Sequence, residues 1–380
     1  MKNKNYLFTL GAAVIFSFTS CDPSTDTIDC SVNAPLDYTF EVDNSSTVSF
    51  SGQTARLGMA EEILSMLGES SSTDVAVLNQ MYTDGTGFND VTLDASGKNL
   101  RGKTASYQTA TVKSYVQAQF DAMLVDYATN VAPAMAASTP AAPGTAGMIG
   151  SRELNAKGME IDQCFAKGLI GALCLDQVVN GYLSEAKIGD GVDNINRDPN
   201  EDLNSTAMEH HWDEGFGYVY GLEPDVLSPN YNAAIDPDGS KAGSLLNKYL
   251  GKYENYRNEV YTSFVNGRQG IVENCSDVRD AEAADIKVAL SNVIMSKAES
   301  YLRDAAAYTD QSDDYFHALS EGYGFILSLQ FTSDADGMPY FTHAEVNSWL
   351  EALEAGNGFW DRTDAELIQM ADDINAVSGL

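Results

Sequence analysis

The stretch MEIDQCFAKGLIGALCLDQVVNGYLSEAKI (Met159–Ile188) constrains the fold more than any other part of the chain. Its spacing predicts one long helix. Its apolar residues cover so much of the helix surface that only a central position suits it. Cys164 and Cys174 read as core positions of that helix. The segments available to surround it are helical in pattern too: GQTARLGMAEEILSML, STDVAVLNQMY behind Ser72 or Thr73 as N-cap, TASYQTATVKSYVQAQFDAMLVDYATNVA, SLLNKYLGKYENYRNEVYTSFV, AADIKVALSNVIMSKAESYLRDAAAY and DDYFHALSEGYGFILSLQF. Strand patterns are nearly absent. YTFEV and TVSFS alternate around DNSS and predict a small hairpin, and Ser138–Gly150 reads as a Pro/Gly/Ala loop. The expected class is all-α, with a small N-terminal β-hairpin, a helical half over 37–240 and a second over 241–380.

Residues 1–20 stand apart. Lys2 and Lys4 precede the apolar run Tyr6–Phe18, which has the length of a signal h-region and is too short to span a bilayer. It ends in FTSC, followed by a Ser/Thr/Asp-rich tether over 21–36. Small residues before Cys21 read as a bacterial lipobox, with the Cys21 thiol taking the lipid. The mature chain is therefore expected on the outer membrane, on its periplasmic or cell-surface face, held by lipid. Without residues 1–20 it carries 20 basic against 55 acidic side chains. That excess excludes nucleic acid as a partner, because phosphates require a basic footprint. The spacing of Cys30, Cys164, Cys174 and Cys275 matches no zinc knuckle, and an exported location permits disulfides.

Two motif matches carry little weight. GKNLRGKT (Gly97–Thr104) fits the phosphate-binding loop pattern by letter, but VTL is too short for the buried strand such a loop needs, and no βαβ series follows. The loop is expected to position a helix starting near Thr104. DPDG (Asp236–Gly239) and DADG (Asp334–Gly337) resemble the start of a calcium loop, yet glycine falls at position four rather than six, so Asp-Gly turns are the simpler reading.

A third pattern is repeated. HHWDEGFGYVYG, from His210, and HALSEGYGFILS, from His317, share histidine, glutamate four residues on, and alternating glycine and aromatic residues. GYLSEA (Gly181–Ala186) upstream of the first matches SYLRDA (Ser300–Ala305) upstream of the second. The spacing differs by 12 residues, which is the extra length of an Asp/Asn-rich loop in the first copy. This predicts an internal duplication. On a helix capped by Asn204 or Ser205, His210, Glu214, Gly217 and Gly221 fall within about 60° of one another, opposite Trp212, Phe216 and Val219. His317, Glu321, Gly324 and Ser328 form the matching stripe. Small residues let another backbone approach closely, so both stripes are expected to face inward, and toward each other across a pseudo-twofold axis. That arrangement would gather His210, Glu214, His317 and Glu321 into a site suited to iron, zinc or manganese. The alternative is a buried His–Glu network that fixes helix register without metal. His211 and Glu214 form a further local pair.

SFSGQTARLGMAEEI, GKNLRGKTA, KGLIGALCLDQ and MEHHWDEGFGY resemble a family of bacterial lipoproteins with a domain of unknown function. The chain also resembles the imelysin-like proteins, whose His-x-x-Glu motif maps to His211 and Glu214. Their pattern has glycine where this chain has Glu209. The resemblance implies an exported, all-helical, duplicated protein linked to iron or haem uptake. Three functions follow as expectations: a non-catalytic envelope binding protein for metal or haem; a structural or partner-binding component of an envelope assembly; and an imelysin-like metallopeptidase. The chain has no H-E-x-x-H and no G-x-S-x-G, which weighs against catalysis.

Overall fold

The computed structural model describes residues 30–197, 204–224, 226–227 and 243–379. The signal segment, Cys21 and the Asp236–Gly239 turn lie outside the described residues. Residues 31–380 form one compact unit, so the two halves expected from sequence share a single core.

The chain enters through the predicted hairpin. Strands β1 (Glu41–Val42) and β2 (Ser45–Ser46) pair antiparallel, Glu41 opposite Ser46. Asp43 and Asn44 both take positive φ, 53° and 62°. That is the two-residue turn whose twist matches paired strands, and Asp and Asn tolerate it. Helices α1 (Ser51–Met66), α2 (Val75–Asn79), α3 (Val91–Ala95) and α4 (Ala110–Asp126) follow. Asp74, not Ser72 or Thr73, caps α2, and Thr109 caps α4 with its hydroxyl on the Val112 amide. The chain then widens into a π-turn (Tyr127–Val131) before α5 (Ala132–Ala136). Pro133 in α5 cannot donate to the carbonyl one turn back, and a wider turn relieves the clash. The expected loop Ser138–Gly150 contains a second, unforeseen element. Strand β3 (Gly147–Ile149) pairs with β4 (Arg152–Leu154) around Gly150 at φ 54°. Three-residue strands are too short to show a period.

The central run is helical and buried, as its composition requires, but it is not one regular helix. It is α6 over Ile161–Leu169 and π-helix over Ile170–Tyr182, ending before α7 (Glu185–Ile188). Helices α8 (Ala207–Tyr220), α9 (Leu245–Leu250), α10 (Glu254–Glu273), α11 (Ser276–Ala307), α12 (Asp313–Leu329), α13 (His343–Glu354) and α14 (Asp364–Ser378) complete the fold. Helix α12 packs on α6 and α11, while α8 packs on α1, α10 and the π-helix. Asp334 turns the chain by accepting from the Asp336 and Met338 amides, with Gly337 at φ 82°. Glu345, position twelve of the calcium pattern, serves instead in the capping box of α13 with Thr342.

Helix α8 begins at Thr206, whose hydroxyl accepts from the Glu209 amide while the Glu209 carboxylate accepts from the Thr206 amide. Asn204 and Ser205 are thus not the cap. Glu209 also meets Arg197 at 2.6 Å and the buried Arg268 at 3.3 Å. Burial alone would raise its pKa, but Arg268, Arg197 and the Thr206 amide outweigh it and hold the carboxyl below its ordinary value. Arg268 donates to Asp213 at 2.9 Å and to Thr47. Asp213 accepts in addition from Tyr38 Oη (2.7 Å) and the Ser49 amide. One guanidinium with no exposed surface thereby joins α8, α10 and the hairpin.

Removing one partner of such a pair strands the others in a dry interior. Arg268→Met should lower unfolding stability by about 3–5 kcal/mol in urea titration. A loss below about 1 kcal/mol would show that the network does not anchor α8.

Candidate functional site

Each duplicated helix lays its small-residue stripe against an earlier helix. A Cβ on Gly217 would lie 2.3 Å from Phe50 Cβ and 3.0 Å from Gln53 Cβ, and one on Gly221 would meet Thr54. A Cβ on Gly324 would lie 2.5 Å from Lys167 Cβ and 2.8 Å from the Cys164 carbonyl. So the stripes face inward, but α8 faces α1 and α12 faces α6. They do not face each other. Among the described residues no group of three or more His, Cys, Asp or Glu side chains is placed to hold a metal ion, and His210, Glu214, His317 and Glu321 do not gather. Small residues announce a close approach without naming the neighbour.

What the two copies do repeat is a local constellation. In the first, His210 Nε2 lies 3.9 Å from Glu214. Glu214 Oε1 accepts from Gln53 Nε2 at 2.9 Å and from Tyr182 Oη at 3.0 Å. In the second, His317 Nε2 lies 3.6 Å from Glu321. Glu321 Oε1 meets Lys167 Nζ at 2.8 Å and accepts from Tyr249 Oη at 3.0 Å, and Tyr301 also donates to this carboxylate. Tyr182 and Tyr301 are the matched residues of GYLSEA and SYLRDA, so the duplication extends to side-chain roles. Gln53 and Lys167 hold equivalent posts beneath the glycines. The sequence comparison aligned the two tyrosines but carried no sign that they reach the glutamates. Gln53, 161 residues from its partner, was not foreseen.

The histidines differ. His211 Nδ1 donates to the Lys187 carbonyl at 2.8 Å, and its Nε2 lone pair faces Lys187 Nζ at 3.3 Å. Burial keeps this ring below the ordinary histidine pKa and so neutral. Its lone pair is engaged by an ammonium. His210 Nδ1 is buried without a hydrogen-bond partner. His317 bridges two carboxylates, with Nδ1 2.6 Å from Glu160 and Nε2 toward Glu321.

The loop Gly97–Thr104 borders the first constellation. No strand precedes it, since VTL lies in α3, and α4 begins at Ala110 rather than near Thr104. Four of its amides are already engaged: Arg101 N on the Tyr82 carbonyl, Gly102 N on Asn99 Oδ1, Lys103 N and Thr104 N on the Leu100 carbonyl. They cannot cradle a phosphate. Lys103 from this loop reaches Tyr182 Oη at 3.3 Å. Burial, and then the neighbouring Arg56, lower its pKa.

The molecule is all-α, with a charged His–Glu constellation on each of the two matching helices. The chain belongs to the family described as Domain of unknown function (DUF4856), whose model matches residues 35–380. No curated protein and no solved structure matches it.

The carboxylates give the fold two pH limbs. Burial alone would raise Glu321, but Lys167, Tyr301 and His317 bring it from 4.5 down to about 2. Its contribution is therefore complete above about 4.5 and lost as pH falls toward 2. Burial, then Asp162, pushes Glu153 up to about 7, and burial, then Glu160, pushes Asp162 up to about 6. Here the folded chain holds protons that the unfolded chain releases near pH 4, so stability falls as pH rises toward 7 and then levels. Melting profiles should peak in between. Glu321→Gln should remove the acid limb at a cost of about 3 kcal/mol at neutral pH. Glu153→Gln should flatten the other limb and raise the melting temperature at pH 8. Unchanged profiles in both variants would refute these assignments.

Proposed function

We propose that the mature chain is an exported envelope protein, anchored by lipid at Cys21 on the outer membrane, that binds a ligand rather than catalysing a reaction. The ligand is linked to iron or haem acquisition and is taken at the duplicated Tyr–Glu–His constellations. The observation that carries this reading is the repetition of those side chains in both copies: Tyr182, Glu214 and His210 against Tyr301, Glu321 and His317. No described helix is long and apolar enough to cross a membrane, in keeping with anchoring by lipid. Cys30 and Cys275 are each disulfide-bonded, which suits an oxidising compartment.

Bare iron or zinc would need several protein donors in one place, and the described residues offer none. Haem or a chelated iron brings its own donors and asks the protein for an axial ligand and a few polar contacts. His210, whose Nδ1 has no partner, is the candidate axial ligand, with His211 and Glu214 around it, whereas His317 has Glu160 and Glu321 on its two ring nitrogens. The second reading, a structural or partner-binding component, is favoured by the closure of Glu321 by Lys167 and Tyr249. A metallopeptidase finds no support in the donor geometry.

Mature protein purified without a histidine tag should retain iron or haem in elemental and absorbance analysis, or take up either when added. Binding should weaken in His210→Ala with little change in melting temperature. A protein that stays free of metal and haem, and ignores added iron, zinc and haem, would exclude this ligand class. Variants that lose stability or partner capture in equal measure would favour the structural reading.

A further inference from the structure

Basic side chains are scarce in this chain, 22 against 55 acidic. Four of them nevertheless converge beside Glu214. Lys103, on its loop, has Arg56, Lys187 and Lys98 as its cationic neighbours and Glu214 as the acidic one. Lys98 and Arg56 meet above Gly52, where a Cβ would lie 3.2 Å from Lys98 Cε and 3.6 Å from an Arg56 nitrogen. Arg56 hydrogen-bonds only neutral carbonyls, those of Asn99 and Gly52. Lys187 faces the neutral His211, and Lys103 faces a tyrosine hydroxyl. Among the described residues none of the four cations lies in an ion pair. The acidic groups nearby are Glu214 and, behind Tyr107, the buried Asp176, whose carboxyl is occupied by the Tyr107 amide and Gln108.

Like charges gathered at a half-buried place cost free energy unless an anion joins them. A second, independent observation marks the same place. Tyr218 is 1 % exposed, it stacks on Tyr182 at 6.0 Å between centroids, and its hydroxyl is buried with no partner. Arg56, the buried Cys174 thiol, Glu214 and Tyr107 are the polar groups that act on that hydroxyl. A buried hydroxyl without a partner loses about 1–3 kcal/mol, and a ligand oxygen would satisfy it.

We infer that Lys103, Lys187, Arg56 and Lys98, with Tyr218 Oη, form a binding site for an oxyanion group, phosphate or carboxylate, carried by a small ligand. The inference rests on reading the first constellation as a ligand site, but it does not need the ligand to contain iron. Side-chain cations hold the anion here, since the Arg101, Gly102, Lys103 and Thr104 amides are already hydrogen-bonded. In the second copy Lys167 is paired with Glu321, and Lys252 and Lys297 lie over the Tyr249 ring.

Calorimetric titration of the mature full-length chain at low ionic strength tests this, with inorganic phosphate and citrate as probes. At least one should bind with a Kd below about 1 mM and raise the melting temperature. Lys103→Met should weaken binding about tenfold, the loss of one charge-assisted contact. Tyr218→Phe should weaken it severalfold, and Lys252→Met, at the other copy, should not. Without ligand, Lys103→Met should melt at or above the unaltered chain, because it relieves repulsion. A purely structural lysine would lower it. No binding of either probe up to about 10 mM, or equal binding by Lys103→Met, would overturn the site. Oxyanion binding without uptake of iron or haem would leave this inference standing and remove the iron reading. Haem uptake with no oxyanion binding would do the reverse.

Discussion

A serine hydroxyl inserted into the central helix holds the two copies together. Ser328 Oγ, from α12, accepts from the Gly171 amide at 3.0 Å and donates to the Lys167 carbonyl at 2.7 Å. Those two groups would bond each other in an α-helix. The hydroxyl stands between them, and the chain from Ile170 onward winds wider, as a π-helix. Only small residues allow the approach: a Cβ on Gly171 would lie 2.4 Å from Ser328 Cβ. The wider turn is also held from outside. The Ala172 carbonyl accepts from the Ala105 amide, and Asp176 accepts from the Tyr107 amide. One insertion from the second copy therefore fixes the loop that carries Lys103 and Tyr107, and the end of the π-helix that carries Tyr182. Function and packing meet on the same backbone.

Arg268 does for α8 what Ser328 does for the centre. A buried guanidinium is costly unless carboxylates surround it. Glu209 and Asp213, one turn apart on α8, supply them, and Tyr38 and Thr47 bring in the hairpin. Tyr38 then stacks flat on Phe216 at 3.7 Å. Glu209 stands where the imelysin pattern has glycine, and here it serves the capping box and the ion pairs at once. The substitution has a structural use of its own and says little about the motif that follows it.

The fold class was legible because helical periodicity and a two-residue Asp-Asn turn are local signals. The hairpin is there, but its second strand is Ser45–Ser46, within the DNSS expected as the turn, and not TVSFS. The repeated motif was legible in His210, Glu214 and Gly217 against His317, Glu321 and Gly324. The pairing of those stripes was not, since a glycine marks a close approach without saying whose backbone arrives: Phe50 and Gln53 in one copy, Lys167 and Cys164 in the other. Nor was the π-winding, because its cause lies 157 residues away in Ser328. The GKNLRGKT loop follows a helix rather than a strand, yet its lysines carry weight for a reason the pattern does not encode. They end beside Glu214.

The difference between the copies is informative in itself. Beneath Gly324 the neighbouring helix places Lys167, whose charge closes the Glu321 site from within. Beneath Gly217 it places Gln53, which is neutral. Glu214 is thus hydrogen-bonded by Gln53 of α1, and the cations around it, Lys98 and Lys103 from the loop, Lys187 from α7 and Arg56 from α1, enter no ion pair among the described residues. A duplicated fold lets one copy spend its polar groups on internal order while the other keeps them available. In the second copy, Glu321 is held at a pKa of about 2 by partners already in contact. In the first, a buried tyrosine hydroxyl and a buried imidazole nitrogen have no partner. The same constellation, with one lysine exchanged for glutamine, has changed from a strut into a receptive site.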